Sequence, residues 1–132
     1  MPTQQSRHRS AFAIAWLGLA LAMGCGQEAP QPIDTAEAGR QLETALASWK
    51  ADEPYEGLPA RNPPIVFSEP LWQDGTKLLR YELEPVELQG RQGRCTAKLS
   101  LRDKTGKQYE RRIGYIIDTV PRVVIVREAL GL

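Results

Sequence analysis

The hydrophobic period of this chain changes once, across a proline-rich stretch at residues 54–64, and that change restricts the fold to a helix laid on a sheet. Before the stretch, Ala38, Leu42, Ala45, Leu46 and Trp49 recur at helical spacing and form one apolar stripe. Arg40, Glu43, Thr44 and Lys50 fall on the other faces. Asp34 offers an N-cap oxygen, Glu37 completes a capping-box pattern three residues later, and Pro54 ends the run. The pattern predicts one amphipathic helix of about 16 to 18 residues, in which Gly39 costs about 1 kcal/mol relative to alanine.

After the stretch, which reads as an irregular crossing with a single helical turn near Glu56-Gly57-Leu58, the period is two. Pro64 to Phe67 is a short apolar run closed by Pro70, which suits an edge strand because proline cannot donate to a ladder. Leu71 to Gly75 reads as a turn with Trp72 as a lid on the core. Leu79, Tyr81 and Leu83 alternate with Arg80, Glu82 and Glu84, and Cys95, Ala97, Leu99 and Leu101 alternate with Thr96, Lys98, Ser100 and Arg102. Asp103-Lys104-Thr105-Gly106 supplies a hairpin with Gly106 at its positive-φ position. The next strand places Tyr109, Arg111, Ile113, Tyr115 and Ile117 on one face, and Arg122 to Val126 gives a last β-branched run after Pro121. The expected fold class is α+β: one N-terminal amphipathic helix packed on a curved antiparallel sheet of four to five strands.

Upstream, Arg7, His8 and Arg9 precede an apolar run from Ala11 to Ala22, with no acidic residue before Glu28. A dozen residues is short of the roughly 20 that a spanning helix needs, so the run reads as the h-region of an export signal. It ends in Leu21-Ala22-Met23-Gly24-Cys25, which resembles a bacterial lipobox: Gly24 and Ala22 meet its demand for small or aliphatic residues, while Met23 departs from the usual small residue and Ala22 from the usual leucine. The alternative is an ordinary secretory peptide, because Ala22-Met23-Gly24 also approximates a small-x-small cleavage site. The division is then 1–24 signal peptide, 25–33 lipid-anchored tether and 34–132 one α+β domain. A thioether-linked diacylglycerol on Cys25 would add about 0.8 kcal/mol per buried CH₂, effectively a permanent anchor. Gly26 to Pro32 buries nothing, and at about 3.3 Å per residue it holds the domain within roughly 25 Å of the lipid. The implied location is extracytoplasmic, membrane-anchored in the cell envelope.

Cleavage before Cys25 would take 24 of the 132 residues and leave 108, the size of one domain. Arg7 and Arg9 would leave with the signal, so 15 of the 17 basic residues remain against 16 acidic ones. The two signs are interleaved, and no basic block exists for a phosphate backbone, so no nucleic-acid partner is expected. The expected partners are the membrane, through the lipid on Cys25, and an envelope protein, with the domain itself monomeric. With Cys25 acylated, Cys95 has no cysteine partner; with Cys25 a free thiol, a bridge between the two is open. The alternation around Cys95 makes it a buried small hydrophobe rather than a reactive thiol.

The order of helix, proline-rich crossing, Trp72-x-x-Gly75, charged strand end and long hairpin at Asp103-x-x-Gly106 resembles small lipoprotein-type domains of planctomycete bacteria, a group similar to the cystatin-like and nuclear-transport-factor-2-like folds. Cystatin inhibitors carry a Gln-x-Val-x-Gly hairpin and a Pro-Trp loop. The nearest segments here, Gln89-Gly90-Arg91-Gln92-Gly93 and Pro70-Leu71-Trp72, fit neither.

The only histidine, His8, lies in the signal. The mature chain therefore lacks the commonest general base, the Ser-His and Cys-His pairs and the usual metal ligand. Glu82, Glu84 and Glu87 read as solvated salt-bridging residues rather than a carboxylate pair, and Ser68 and Ser100 lack a nucleophile motif. No cofactor or metal is expected. A binding or accessory module is the favoured reading, with Trp72, Tyr55 and Tyr109 as ligand or partner contacts and partial core packing as the alternative for each. The competing readings are a small histidine-free enzyme, which would bring Tyr115 and Asp118 into one pocket, and a purely structural envelope lipoprotein.

Overall fold

Asp34 caps the helix α1, Thr35–Lys50: its carboxylate accepts from the backbone N–H of Ala36 at 2.9 Å and of Glu37 at 3.4 Å. The Glu37 carboxylate turns along the helix instead of back to the cap, accepting from Arg40 and Gln41. The stripe Ala38, Leu42, Ala45, Leu46 and Trp49 is at most 1% exposed. It lies on the concave face of a curled sheet, where the indole N–H of Trp49 donates to the Thr76 carbonyl at 2.9 Å. The computed structural model describes residues 33–128, all within one compact unit, Gln31–Leu132. The segments expected to be an export signal and a tether, residues 1–32 with Cys25, lie outside the described residues.

A 3-10 helix, Tyr55–Ala60, follows in the proline-rich crossing, longer than the single turn expected there. It leads to β1, Ile65–Ser68, then a one-turn helix α2, Pro70–Gln73, then β2, Lys77–Leu83. The strands β3, Glu87–Gln89, and β4, Gln92–Arg102, form a hairpin; β5, Gln108–Asp118, and β6, Val123–Arg127, complete the sheet. Its order is β1-β6-β5-β4-β2, with β3 also paired to β4. Gly106 has the expected positive φ, at 90°.

The sheet is mixed rather than antiparallel, because β6 runs parallel to β1, with Ile65 opposite Val123 and Phe67 opposite Ile125. After β1 the chain crosses to the far edge of the sheet at β2 and meanders back through β4 and β5, so β6 arrives beside β1 in the same direction. Alternation along a strand reports its faces and carries no information on the direction of its neighbour.

Two further details depart from the sequence reading. A register shift in β2 between Leu78 and Arg80 turns Leu78, 3% exposed, onto the core in place of Leu79. The strand β3 was not expected: all three of its residues are exposed, so it has no alternation to read. On the opposite face of the sheet, Glu84 pairs with Arg112 at 2.7 Å, the surface ion pairing its position implied. Cys95 is a free thiol, 1% exposed, beneath the helix. Burial, and then the charge of Glu84, push its pKa up.

Because Leu46 is fully buried between helix and sheet, Leu46→Ala is expected to destabilise the protein by about 2 to 5 kcal/mol in urea denaturation. A loss below about 0.5 kcal/mol, typical of surface substitutions, would contradict this packing.

Candidate functional site

Between β1 and α2 the chain places Glu69, an acidic side chain with no exposed surface. An uncompensated carboxylate there would be untenable, and the fold surrounds it with donors. The Tyr115 hydroxyl donates to Oε2 at 2.5 Å. Arg127 donates through Nε to Oε2 at 3.1 Å and through Nη2 to Oε1 at 2.6 Å. The Leu71 backbone N–H donates to Oε1 at 3.0 Å, so the same carboxylate caps α2. One side chain thus ties the end of β1 and the start of α2 to β5 and β6. Burial, the Glu69 charge and the bond to it hold the Tyr115 pKa far above the ordinary tyrosine range.

The capped helix α2 holds Trp72 in an aromatic cluster. Its ring stacks on Trp49, with centroids 5.9 Å apart and planes at 12°, and meets Tyr55 edge-on at 5.1 Å and Phe67 at 6.1 Å. The Tyr55 hydroxyl donates to the Phe67 carbonyl, fastening the 3-10 helix over the β1 edge. Three of these rings, Trp49, Tyr55 and Trp72, line a groove of about 670 Å³ whose wall and rim include Asp52, Glu53, Glu56, Thr76 and Lys77.

The acidic rim follows from how α1 ends. Asp52 N–H bonds to the Trp49 carbonyl and Glu53 N–H to the Ser48 carbonyl, the paired bonds of a Schellman motif. Asp52 occupies the left-handed position at φ 62°, where glycine is usual. Holding a non-glycine residue there costs about 1 to 2 kcal/mol, and the result is a carboxylate at the groove mouth. Asp52 is paired with Lys77 at 2.7 Å and Glu53 with Arg61 at 3.2 Å. Glu56 is the rim carboxylate with no cationic partner among the described residues.

The structure brings together two of the residues expected as contacts, Trp72 and Tyr55. Trp72, 9% exposed, is more deeply set than an exposed aromatic, and Tyr55 is half-buried. Tyr109 is half-buried elsewhere on the sheet, with the Arg111 guanidinium 5.5 Å from its ring. Tyr115 is a core residue bound to Glu69 and not a surface contact. Asp118 stands on the opposite face of β5 from Tyr115 and accepts from Gln92 at 2.8 Å, so the two line no common pocket. Cys25 lies outside the described residues. Sequence reasoning missed Glu69, Arg127 and Asp52. Glu69-Pro70 does carry a signal, a polar cap followed by proline at the first helical position, but it marks a helix start and not a buried charge.

Compared with protein-family models, with curated proteins and with solved structures, the chain matches none.

The buried hydroxyl sets an alkaline pH dependence. Above pH about 10 the unfolded chain releases the Tyr115 proton while the folded protein retains it. The unfolded state then binds fewer protons, and stability falls as pH rises. Tyr81, also shifted upward by burial and by Glu43, acts in the same sense and is unaffected by Tyr115→Phe. That variant is expected to lose stability above pH 10 less steeply than the parent, by about 1.4 kcal/mol per pH unit. Parallel stability curves for the two proteins would place the hydroxyl in water.

Proposed function

We propose that this protein is a lipoprotein of the bacterial cell envelope, anchored by lipid on Cys25, whose domain is a binding module with the Trp49–Tyr55–Trp72 groove as its contact surface. The observation that carries the reading is the groove itself. Aromatic walls are held in place by a buried hydrogen-bonded carboxylate, and a strained Asp52 stands at the mouth, where backbone strain is the kind of cost that functional sites retain. Fixed aromatic surface beside a few polar groups is the usual make-up of a small-molecule or side-chain pocket. The absence of histidine from the chain after residue 8 weighs against acid–base catalysis at neutral pH.

The chemistry of the groove favours a ligand with an apolar body and a cationic end, for which the half-buried Tyr55 ring and the small part of Trp72 left exposed offer aromatic surface and Glu56 an uncompensated charge. Titration with Nα-acetyl-arginine amide is expected to give a saturable change in tryptophan fluorescence. Glu56→Gln should weaken it by up to about fivefold, the upper range for an exposed ion pair. No change up to millimolar concentration would remove the groove as the contact surface for this ligand class.

The anchor is tested separately. Expressed in a bacterium, the protein is expected to enter the detergent phase and to incorporate a palmitate analogue, and Cys25→Ser should abolish both. A variant processed and labelled like the parent would replace lipidation by simple secretion.

A further inference from the structure

The described domain begins at Ile33, whose side chain packs over Gly93: a Cβ at Gly93 would stand 3.0 Å from both Ile33 and Val86. Gly93 is opposite Ile117 near the end of β5, and Gln92 is opposite Gln89 in β3. The chain therefore enters the domain at the end of the sheet where two tips project, the turn Gly90–Arg91 and the loop 119–122. Leu88 and Val120, 51% and 76% exposed, are the two most exposed large apolar side chains among the described residues, and both are at this end. Arg91 and Arg122, also exposed, stand beside them. Neither Gln89–Gln92 nor Thr119–Arg122 contains a carboxylate. The nearest acidic groups are engaged or set back: Asp34, beside Ile33, is exposed but accepts from the N–H groups that open α1, Asp118 accepts from Gln92, and Glu87 lies opposite Arg94 in the strand register.

We infer that this end of the domain seats on an anionic phospholipid surface, with Leu88 and Val120 entering the headgroup layer and Arg91 and Arg122 meeting lipid phosphates. The inference rests on the proposed anchor at Cys25. The eight residues from Cys25 to Pro32 span at most roughly 25 Å, and they end at Ile33, so the lipid is confined to the neighbourhood of this end. Apolar side chains next to cations, with no carboxylate on either tip, are the composition that binds a negatively charged leaflet. The groove lies at the other end of the sheet, since Lys77 is opposite Arg102 at the far end of the eleven-residue β4, about 30 Å away at strand spacing. Seating the domain in this way leaves the groove open to solvent.

The test uses the mature lipoprotein in vesicles of phosphatidylglycerol and phosphatidylcholine containing a nitroxide-labelled lipid. A nitrobenzoxadiazole dye is attached at Val120→Cys or, as control, at Thr105→Cys on the distal hairpin. Mass spectrometry first establishes the acyl group on Cys25; its absence would remove the anchor and this inference together. With the acyl group present, the dye at 120 is expected to be quenched several-fold more than the dye at 105. Replacing Arg91 and Arg122 by glutamine should lower the seated fraction relative to the unseated one by roughly fivefold per arginine. Equal quenching at 105 and 120 in the acylated protein would overturn the inference while leaving the anchor intact. So would quenching at 120 that is unchanged by the glutamine substitutions and in vesicles of phosphatidylcholine alone.

Discussion

The buried Glu69 carboxylate is the point on which the arrangement of this domain depends. It accepts four hydrogen bonds, from Tyr115, twice from Arg127 and from the Leu71 backbone, and it does so with no solvent contact. Such a group adds little net stability relative to a well-packed apolar alternative, because desolvating the charges offsets most of their attraction. Its effect is on specificity. The parallel β1–β6 pair is only four residues long, and Glu69 and Arg127, each one residue past the C-terminal end of its own paired strand, fix its register through a bidentate contact that a slipped pairing could not make.

From that constraint the rest of the site follows. Capping by Glu69 starts α2, α2 carries Trp72, and Trp72 fills the space between Trp49, Phe67 and Tyr55. The groove is the surface left where this cluster meets the Schellman end of α1. Its aromatic side is rigid because the rings are packed in the core, and its polar side is adjustable because the rim carboxylates are exposed. The domain is thereby given two chemically different ends, one with aromatic walls and carboxylates and one with apolar tips and arginines. The proposed anchor assigns the second to the membrane.

The fold class was legible where burial imposes a period. The α1 stripe, the alternation in β4 and β5 and the Gly106 turn all appear where residue spacing places them, because each buries one face against the other layer. What escaped were features with no periodic signature. The bulge that exchanges Leu79 for Leu78, the all-exposed β3 and the parallel pairing of β6 depend on partners distant in sequence. The site was legible in its aromatics only. Tyr55 and Trp72 meet, but Tyr115 belongs to the core because its hydroxyl is satisfied by Glu69, a contact across 46 residues that no local pattern announces. Asp52 escaped for the opposite reason: a left-handed position invites glycine, and its occupation by aspartate is visible only in the backbone angle.

A double-mutant cycle on Glu69→Gln and Arg127→Met measures the central constraint most directly. Arg127→Met alone strands a buried carboxylate and should destabilise the domain by about 3 to 5 kcal/mol, much of which Glu69→Gln in the same chain should restore. The two substitutions would then be strongly non-additive, with a coupling of at least about 2 kcal/mol. Effects that add to within about 0.5 kcal/mol would mean that the two side chains do not depend on one another, and that the register of β1 and the position of Trp72 are held by packing alone.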